Sequence, residues 1–165
     1  MSLDGAHFRE GMSCFATGVC VVTTVNGDGV PAGVTISSFA SVSLDPPLVL
    51  FCIGKTSTDL ASWLEARHFS VNVLAAGQRA VCELFASHAA DKFATVRGTI
   101  GGNGCFQLAG ALATLECRRT RIHDEGDHHI IVGEVERLVL GDNSGPLLRF
   151  RAAYRRIDAA PQEGG

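Results

Sequence analysis

The stretch Gly33-Val34-Thr35-Ile36-Ser37-Ser38-Phe39-Ala40-Ser41-Val42-Ser43-Leu44-Asp45-Pro46-Pro47 decides how this chain is read. From Val34 to Leu44 the even positions Val34, Ile36, Ala40, Val42 and Leu44 are apolar, with Ser38 the exception. The odd positions Thr35, Ser37, Ser41 and Ser43 carry hydroxyls, with Phe39 the exception. Period-two alternation predicts one strand with a core face and a face of short donor–acceptor groups. The paired prolines Pro46 and Pro47 remove two backbone donors and are expected to end its pairing. Ser and Thr also line ordinary solvated strand faces, so the stretch alone leaves both readings open.

Working outward, Asp4 is the expected N-cap of a short helix reaching Phe15, with Ala6, Phe8, Met12 and Phe15 as its apolar residues. Residues 19–25 are rich in β-branched side chains and predict a strand. Asn26-Gly27-Asp28-Gly29 then predicts a hairpin back onto residues 33–47. Residues 48–53 are apolar throughout, as in a strand covered on both faces. Helical patterns follow at residues 60–66 and 78–86, with a strand at 69–74 between them. Residues 87–110 read as a long loop, a length more often functional than idle. Two long strands are predicted at 111–123 and 128–140, joined by Asp124-Glu125-Gly126-Asp127, and residues 146–157 are expected to close the sheet. About seven strands joined mostly by hairpins point to a mainly β, antiparallel barrel with short helices. Residues 1–158 are expected to form a single domain, with a frayed tail beyond it.

The composition narrows the function classes. A chain of 165 residues can bury a core without staples, and a formal charge of −3 argues against bulk binding to nucleic acid. No apolar run approaches the roughly 20 residues of a membrane-spanning helix, and residues 1–30 lack the pattern of a signal peptide. Six scattered cysteines without a C-x-x-C pair read as reduced thiols in a cytoplasmic protein. The absence of G-x-G-x-x-G and of G-x-S-x-G argues against a Rossmann nucleotide site and a serine hydrolase.

Two segments could carry chemistry. Lys55-Thr56-Ser57-Thr58 leads from a strand into a helix, where an ammonium, three hydroxyls and free N–H groups would suit a phosphate. Simple N-capping by Ser57 or Thr58 is the competing explanation. Gly126-Asp127-His128-His129 places two histidines on opposite faces of a strand, which does not suit a metal site. A solvated turn histidine is the plainer reading there.

Taken together, the separated segments resemble one family. Residues 8–12 with 18–24, residues 35–52, Phe69-Ser70-Val71-Asn72-Val73-Leu74, Gly126-Asp127-His128 with 130–135, and residues 146–154 are similar to the short-chain flavin reductases. These are flavin-binding split-barrel proteins, Greek-key-like in topology, that serve as reductase components of two-component flavin-dependent monooxygenases. The likeness spans about residues 5–157. It implies an NAD(P)H:flavin oxidoreductase that passes a hydride from NADH or NADPH to FMN or FAD. It also implies a homodimer and a separate monooxygenase that receives the reduced flavin.

By resemblance, Thr35, Ile36, Ser37 and Ser38 contact the flavin ring edge, with Cys52 near them. Lys55, Ser57 and Thr58 hold the phosphate, and Phe93 lies at the flavin, often across the dimer. Gly126, Asp127 and His128 serve the nicotinamide, with His128 orienting it. Hydride transfer needs stacking and positioning more than acid–base groups, so no catalytic residue in the strict sense and no metal are expected. His129 departs from the family, where a smaller hydroxyl residue is common. Relatives of this fold leave two alternatives: a flavoprotein that keeps its FMN and reduces another acceptor such as a corrinoid, or a flavin-binding module without turnover.

Overall fold

Residues 33–47 form two strands rather than one, and the expected core face is lost in the second, where Ala40, Val42 and Leu44 are exposed and the register skips Val42. In the computed structural model, which describes residues 4–142 and 144–157, β3 runs Pro31–Ile36 and β4 runs Ala40–Leu44, separated by Ser37-Ser38-Phe39. That break accounts for both exceptions to the pattern. Phe39 packs against the main core, and the Ser38 hydroxyl accepts the Cys52 amide at 2.9 Å. The prolines do not end the pairing either. Asp45 and Pro46 form a hairpin turn, and Pro47 opens β5, Pro47–Gly54, directly opposite Leu44.

Upstream, helix α1 spans Gly5–Ser13, and the Asp4 carboxylate accepts the Ala6 and His7 amides at 3.0 and 2.8 Å, as a cap should. After the short β1, Thr17–Gly18, strand β2, Cys20–Val25, folds back onto β3. The turn is held by the Asn26 side chain, which accepts the amides of Asp28 and Val30. This hairpin is the one expected.

Helix α2, Leu60–Glu65, strand β6, His68–Val73, and helix α3, Arg79–Ala86, come next. Ser57 and Thr58 lie in the turns ahead of α2 and do not cap it; Asp59 occupies that position and makes no side-chain capping bond. The region read as a loop contains a small hairpin of β7, Gly98–Ile100, and β8, Phe106–Leu108. Strands β9, Ala113–Glu125, and β10, His128–Leu140, extend the main sheet, with only Gly126 and Asp127 between them. Gly126 supplies the positive φ, 57°, that this turn needs. Strands β11, Leu148–Phe150, and β12, Ala153–Arg155, join β1 in a sheet of their own instead of closing the main one.

The fold is therefore mainly β and antiparallel, with twelve strands among the described residues where seven were counted from the sequence. The main sheet runs β3-β2-β6-β9-β10-β5-β4, and no ladder joins its two edges among the described residues. The tail beyond residue 157 lies outside the described residues.

Two cores fix this sheet. Cys20, Val22, Phe51, Trp63, Phe69 and Ile131 fill its inner side, where Phe51 meets Trp63 and Phe69 edge-on at 5.8 and 5.1 Å. Each such fully buried side chain stabilises by roughly 1.5–3 kcal/mol. Val19, Val21, Leu74, Cys82 and Phe85 form the second core under α3. Strands β2 and β6, side by side in the sheet, are thus the ones covered on both faces. The expectation of two covered faces for residues 48–53 is corrected: Val49, Phe51 and Ile53 are buried, while Leu48, Leu50 and Cys52 are half-buried.

Candidate functional site

Strand β5 carries the site because β4 leaves it half-way along, while β10 stays paired with it as far as Gly54. On one side β4 ends, and the register that pairs Ala40 with Leu50 brings Ser38 opposite Cys52. A side-chain hydroxyl there replaces a ladder bond. Beyond that stitch, β3 and the end of β5 share no backbone ladder among the described residues. Gly33 and Thr58 next share the wall of a cavity of about 300 Å³, which Lys92 and Phe93 also line. Residues 33–38 and 52–58 thus meet at two points, the Ser38–Cys52 bond and the cavity that Gly33 shares with Thr58, and the space between these points is the candidate cleft.

The β3 wall is built rigidly. Thr35 donates its hydroxyl to the Cys82 carbonyl at 2.7 Å, so its side chain faces α3. Ile36 is buried in the main core, which leaves only its backbone for the cleft. The Lys92 ammonium donates to the carbonyls of Gly33 and Phe85, both at 3.3 Å, tying the strand edge to the end of α3. Phe93 stands edge-on to Phe85 and Phe106 at 5.2 and 5.3 Å, half-buried. Ser37 and Ser38, on the far side, line a larger groove of about 670 Å³ with Phe8, Met12, Phe15 and Arg149.

The opposite flank of β5 is the tip of the β9–β10 hairpin. The Lys55 amide donates to the Asp127 carbonyl at 2.9 Å, which docks the tip onto the turn after β5. His128 pairs with Gly54 in the register. Because Gly54 lacks a side chain, the imidazole leans over the strand: a Cβ there would lie 3.6 Å from Nε2 and 4.0 Å from the Thr56 hydroxyl. His128 Nδ1 lies 2.7 Å from an Asp127 carboxylate oxygen. An ionised carboxylate only accepts, so Nδ1 is the donor and Nε2 is left facing the row above Gly54. That hydrogen bond and the charge of the imidazole hold the Asp127 carboxyl below its ordinary range.

Lys55 has a partner that the sequence reading did not name. Its ammonium forms an ion pair with Asp124, and this hydrogen bond, followed by the lysine charge and that of His129, lowers the Asp124 carboxyl. Asp124 read as part of the connecting turn, whereas it lies in β9 directly opposite His129. A two-residue Gly-Asp turn sets that pairing, and this signal was available. His129 sits on the core side with Ile53, and its Nδ1 is buried without a hydrogen-bond partner.

The structure thus brings Ser38, Cys52, Gly54, Lys55, Asp127 and His128 into one row, with Thr58 and Phe93 at the far cavity. Unpaired β3 backbone, a half-buried apolar strip (Leu50, Cys52, Ile130, Val132) and a terminal ammonium with three hydroxyls fit a flat heteroaromatic ring with a phosphate tail.

Comparison with known proteins defines the class. Residues 12–158 match the flavin reductase like domain, and the chain belongs to that family. It is 41% identical over 157 residues to the reductase subunit HsaB of a flavin-dependent monooxygenase from Rhodococcus jostii, covering 95% of this chain and 80% of that one. It is 43% identical over 154 residues to the FMN reductase (NADH) SmoA of Agrobacterium fabrum, covering 93% and 87%. The NADH:FAD oxidoreductase SgcE6 of Streptomyces globisporus, solved with NAD and FAD fragments, superposes with a TM-score of 0.90 at 37% identity, covering 99% and 100%.

Proposed function

We propose that the cleft beside β5 binds flavin and that the hairpin tip presents the nicotinamide to it. The enzyme is an NAD(P)H:flavin oxidoreductase, and its product is reduced flavin for a separate monooxygenase, as the HsaB and SmoA relatives support. The observation that carries the site assignment is the continuous row from Ser38 through Cys52 and Gly54 to His128 and Lys55. Flavin, as FMN or FAD, supplies the hydride-accepting ring. The protein's own residues bind and orient. The backbone of residues 35–38 and the strip at Cys52 hold the ring edge, Lys55, Ser57 and Thr58 hold the phosphate, and Phe93 closes the far end.

His128 positions the nicotinamide. Asp127 fixes its tautomer and tilt, and Gly126 shapes the turn that presents both. Neither residue moves a proton, because hydride transfer calls on alignment rather than acid–base chemistry. NADH is the donor named for both FMN reductase SmoA and SgcE6, and we take it as the donor here. The bare β4 edge, with Val42 and Leu44 49% and 93% exposed, supports a homodimer. Six free thiols, one of them exposed, suit the cytoplasm.

The test is NADH consumption with excess FMN and then FAD. Turnover of free flavin is expected. A protein that holds flavin permanently and oxidises neither NADH nor NADPH would support the non-catalytic module instead. His128→Ala should raise the nicotinamide KM or lower kcat while flavin binding holds, and unchanged kinetics would remove it from the site.

A further inference from the structure

Two lysines stand near the proposed phosphate residues among the described residues, and both are engaged: Lys92 donates to the Gly33 and Phe85 carbonyls, and Lys55 is held in an ion pair. Its ammonium is paired with Asp124, and Asp127 also lies within its field. Two carboxylates of the hairpin tip, Asp124 and Asp127, therefore act on this one ammonium. A flavin phosphate arriving here meets an ammonium whose charge and one of whose three N–H donors are already taken by Asp124. The Asp124 side chain is 70% exposed and the Lys55 side chain 35%, so breaking the pair costs little; the pair resists phosphate without excluding it.

Resting on the phosphate role proposed for Lys55, we infer that Asp124 limits flavin affinity by competing with the flavin phosphate for the Lys55 ammonium. The enzyme thereby treats flavin as a substrate that leaves rather than as a resident group. Asp124 is a positioning residue, acting through Lys55. The other charged or titratable side chains around the pair are His129 across the ladder on β10, Asp127 and His128 at the tip, and Glu125 beside it on β9. None of them takes the Asp124 carboxylate in a hydrogen bond among the described residues, whereas Lys55 does.

The experiment measures dissociation constants for FMN and for riboflavin, which has no phosphate, by flavin fluorescence. Asp124→Asn should bind FMN about two- to fivefold tighter, the size expected when an exposed ion pair no longer holds the ammonium. Riboflavin affinity should not change. Asp124→Glu should behave as wild type, because it restores the carboxylate. In a Lys55→Ala background the gain from Asp124→Asn should vanish. An Asp124→Asn protein that binds FMN no tighter, or one that gains equally for riboflavin, overturns the inference while leaving the phosphate site intact. A Lys55→Ala protein with unchanged FMN affinity overturns the phosphate site itself, and the inference with it.

Discussion

The main sheet has two edge strands, β3 and β4, and the chain treats them in opposite ways. Strand β3 is backed by α3: the Thr35 hydroxyl and the Gly33 carbonyl are both spent on the helix and its Lys92 extension. Strand β4 leans for extended contact on β5 alone, and Ala40, Ser41, Val42 and Leu44 are exposed. The two strands follow each other directly in sequence, with only Ser37, Ser38 and Phe39 between. One edge is tied down on its helix side, as the wall of the proposed flavin cleft would need. The other has been left as a surface that can still pair.

Thiol accessibility tests that contrast with the largest effect. Cys82 lies fully buried behind β3, whereas Cys52 is half-buried on the outer side of β5. In the native protein, Cys14 and Cys52 should react with a maleimide, with Cys82 slower than Cys52 by about a hundredfold or more, since only local unfolding exposes it. Equal rates would mean that α3 does not seal the β3 side. Burial also pushes the thiols of Cys20 and Cys117 up to about 12 and that of Cys105 to about 11, from an ordinary 9.0. In the fold these groups keep protons that the unfolded chain gives up. Their contribution is therefore fully present below pH 9 and declines as pH rises from there toward 12, which denaturant titrations across that window would register.

Gly33→Ala strikes the backed edge itself. A Cβ there would meet Phe85 ring carbons at 2.5 and 2.7 Å and Phe93 at 3.0 Å. Overpacking at this wall should cost about 2–3 kcal/mol in chemical denaturation. A neutral result would show that α3 can retreat. Ser38→Ala removes the stitch and leaves the Cys52 amide without its acceptor, so stability should fall by about 1–2 kcal/mol. At the bare edge, Leu44→Lys should change monomer stability by less than about 0.5 kcal/mol. Its effect should instead appear in light scattering, as loss of the proposed dimer. A dimer that survives moves the interface away from β4.

The sequence and the structure agree where local chemistry decides the outcome. Asp4 caps α1, Asn26 turns the β2–β3 hairpin, and Gly126 turns the β9–β10 hairpin, each by a bond or dihedral that its own residue type supplies. They part where register decides. Ser38 looked like one more hydroxyl on a strand, and its role depends on a residue fourteen positions away reached through β4. Strands β7 and β8 have three residues each, too short for any period to show, and they flank the Gly101-Gly102-Asn103-Gly104 turn. That turn is held from outside by the buried Glu116 carboxylate, which accepts the Asn103 amide at 3.0 Å. Of the candidate site, Ser38, Cys52, Lys55 and His128 follow from the family resemblance; their own hydroxyls and turn signals suit N-capping and a solvated histidine equally well, and nothing in the sequence singles out Gly54. The Asp124 partner of Lys55 was not read, because the strand was taken to stop before it.

The stitch at Ser38 also sets how the cleft breathes. An amide in a ladder exchanges its hydrogen with solvent at a rate governed by the opening of several bonds together. The Cys52 amide is protected by one hydroxyl on a three-residue connection, so a single rotation of the Ser38 side chain frees it. Its exchange should follow a shallow, local opening, while the neighbouring Phe51 and Ile53, buried in the core, exchange only with larger excursions of the sheet. Exchange at Cys52 would therefore report on the Ser38 contact alone, apart from the strands on either side of it.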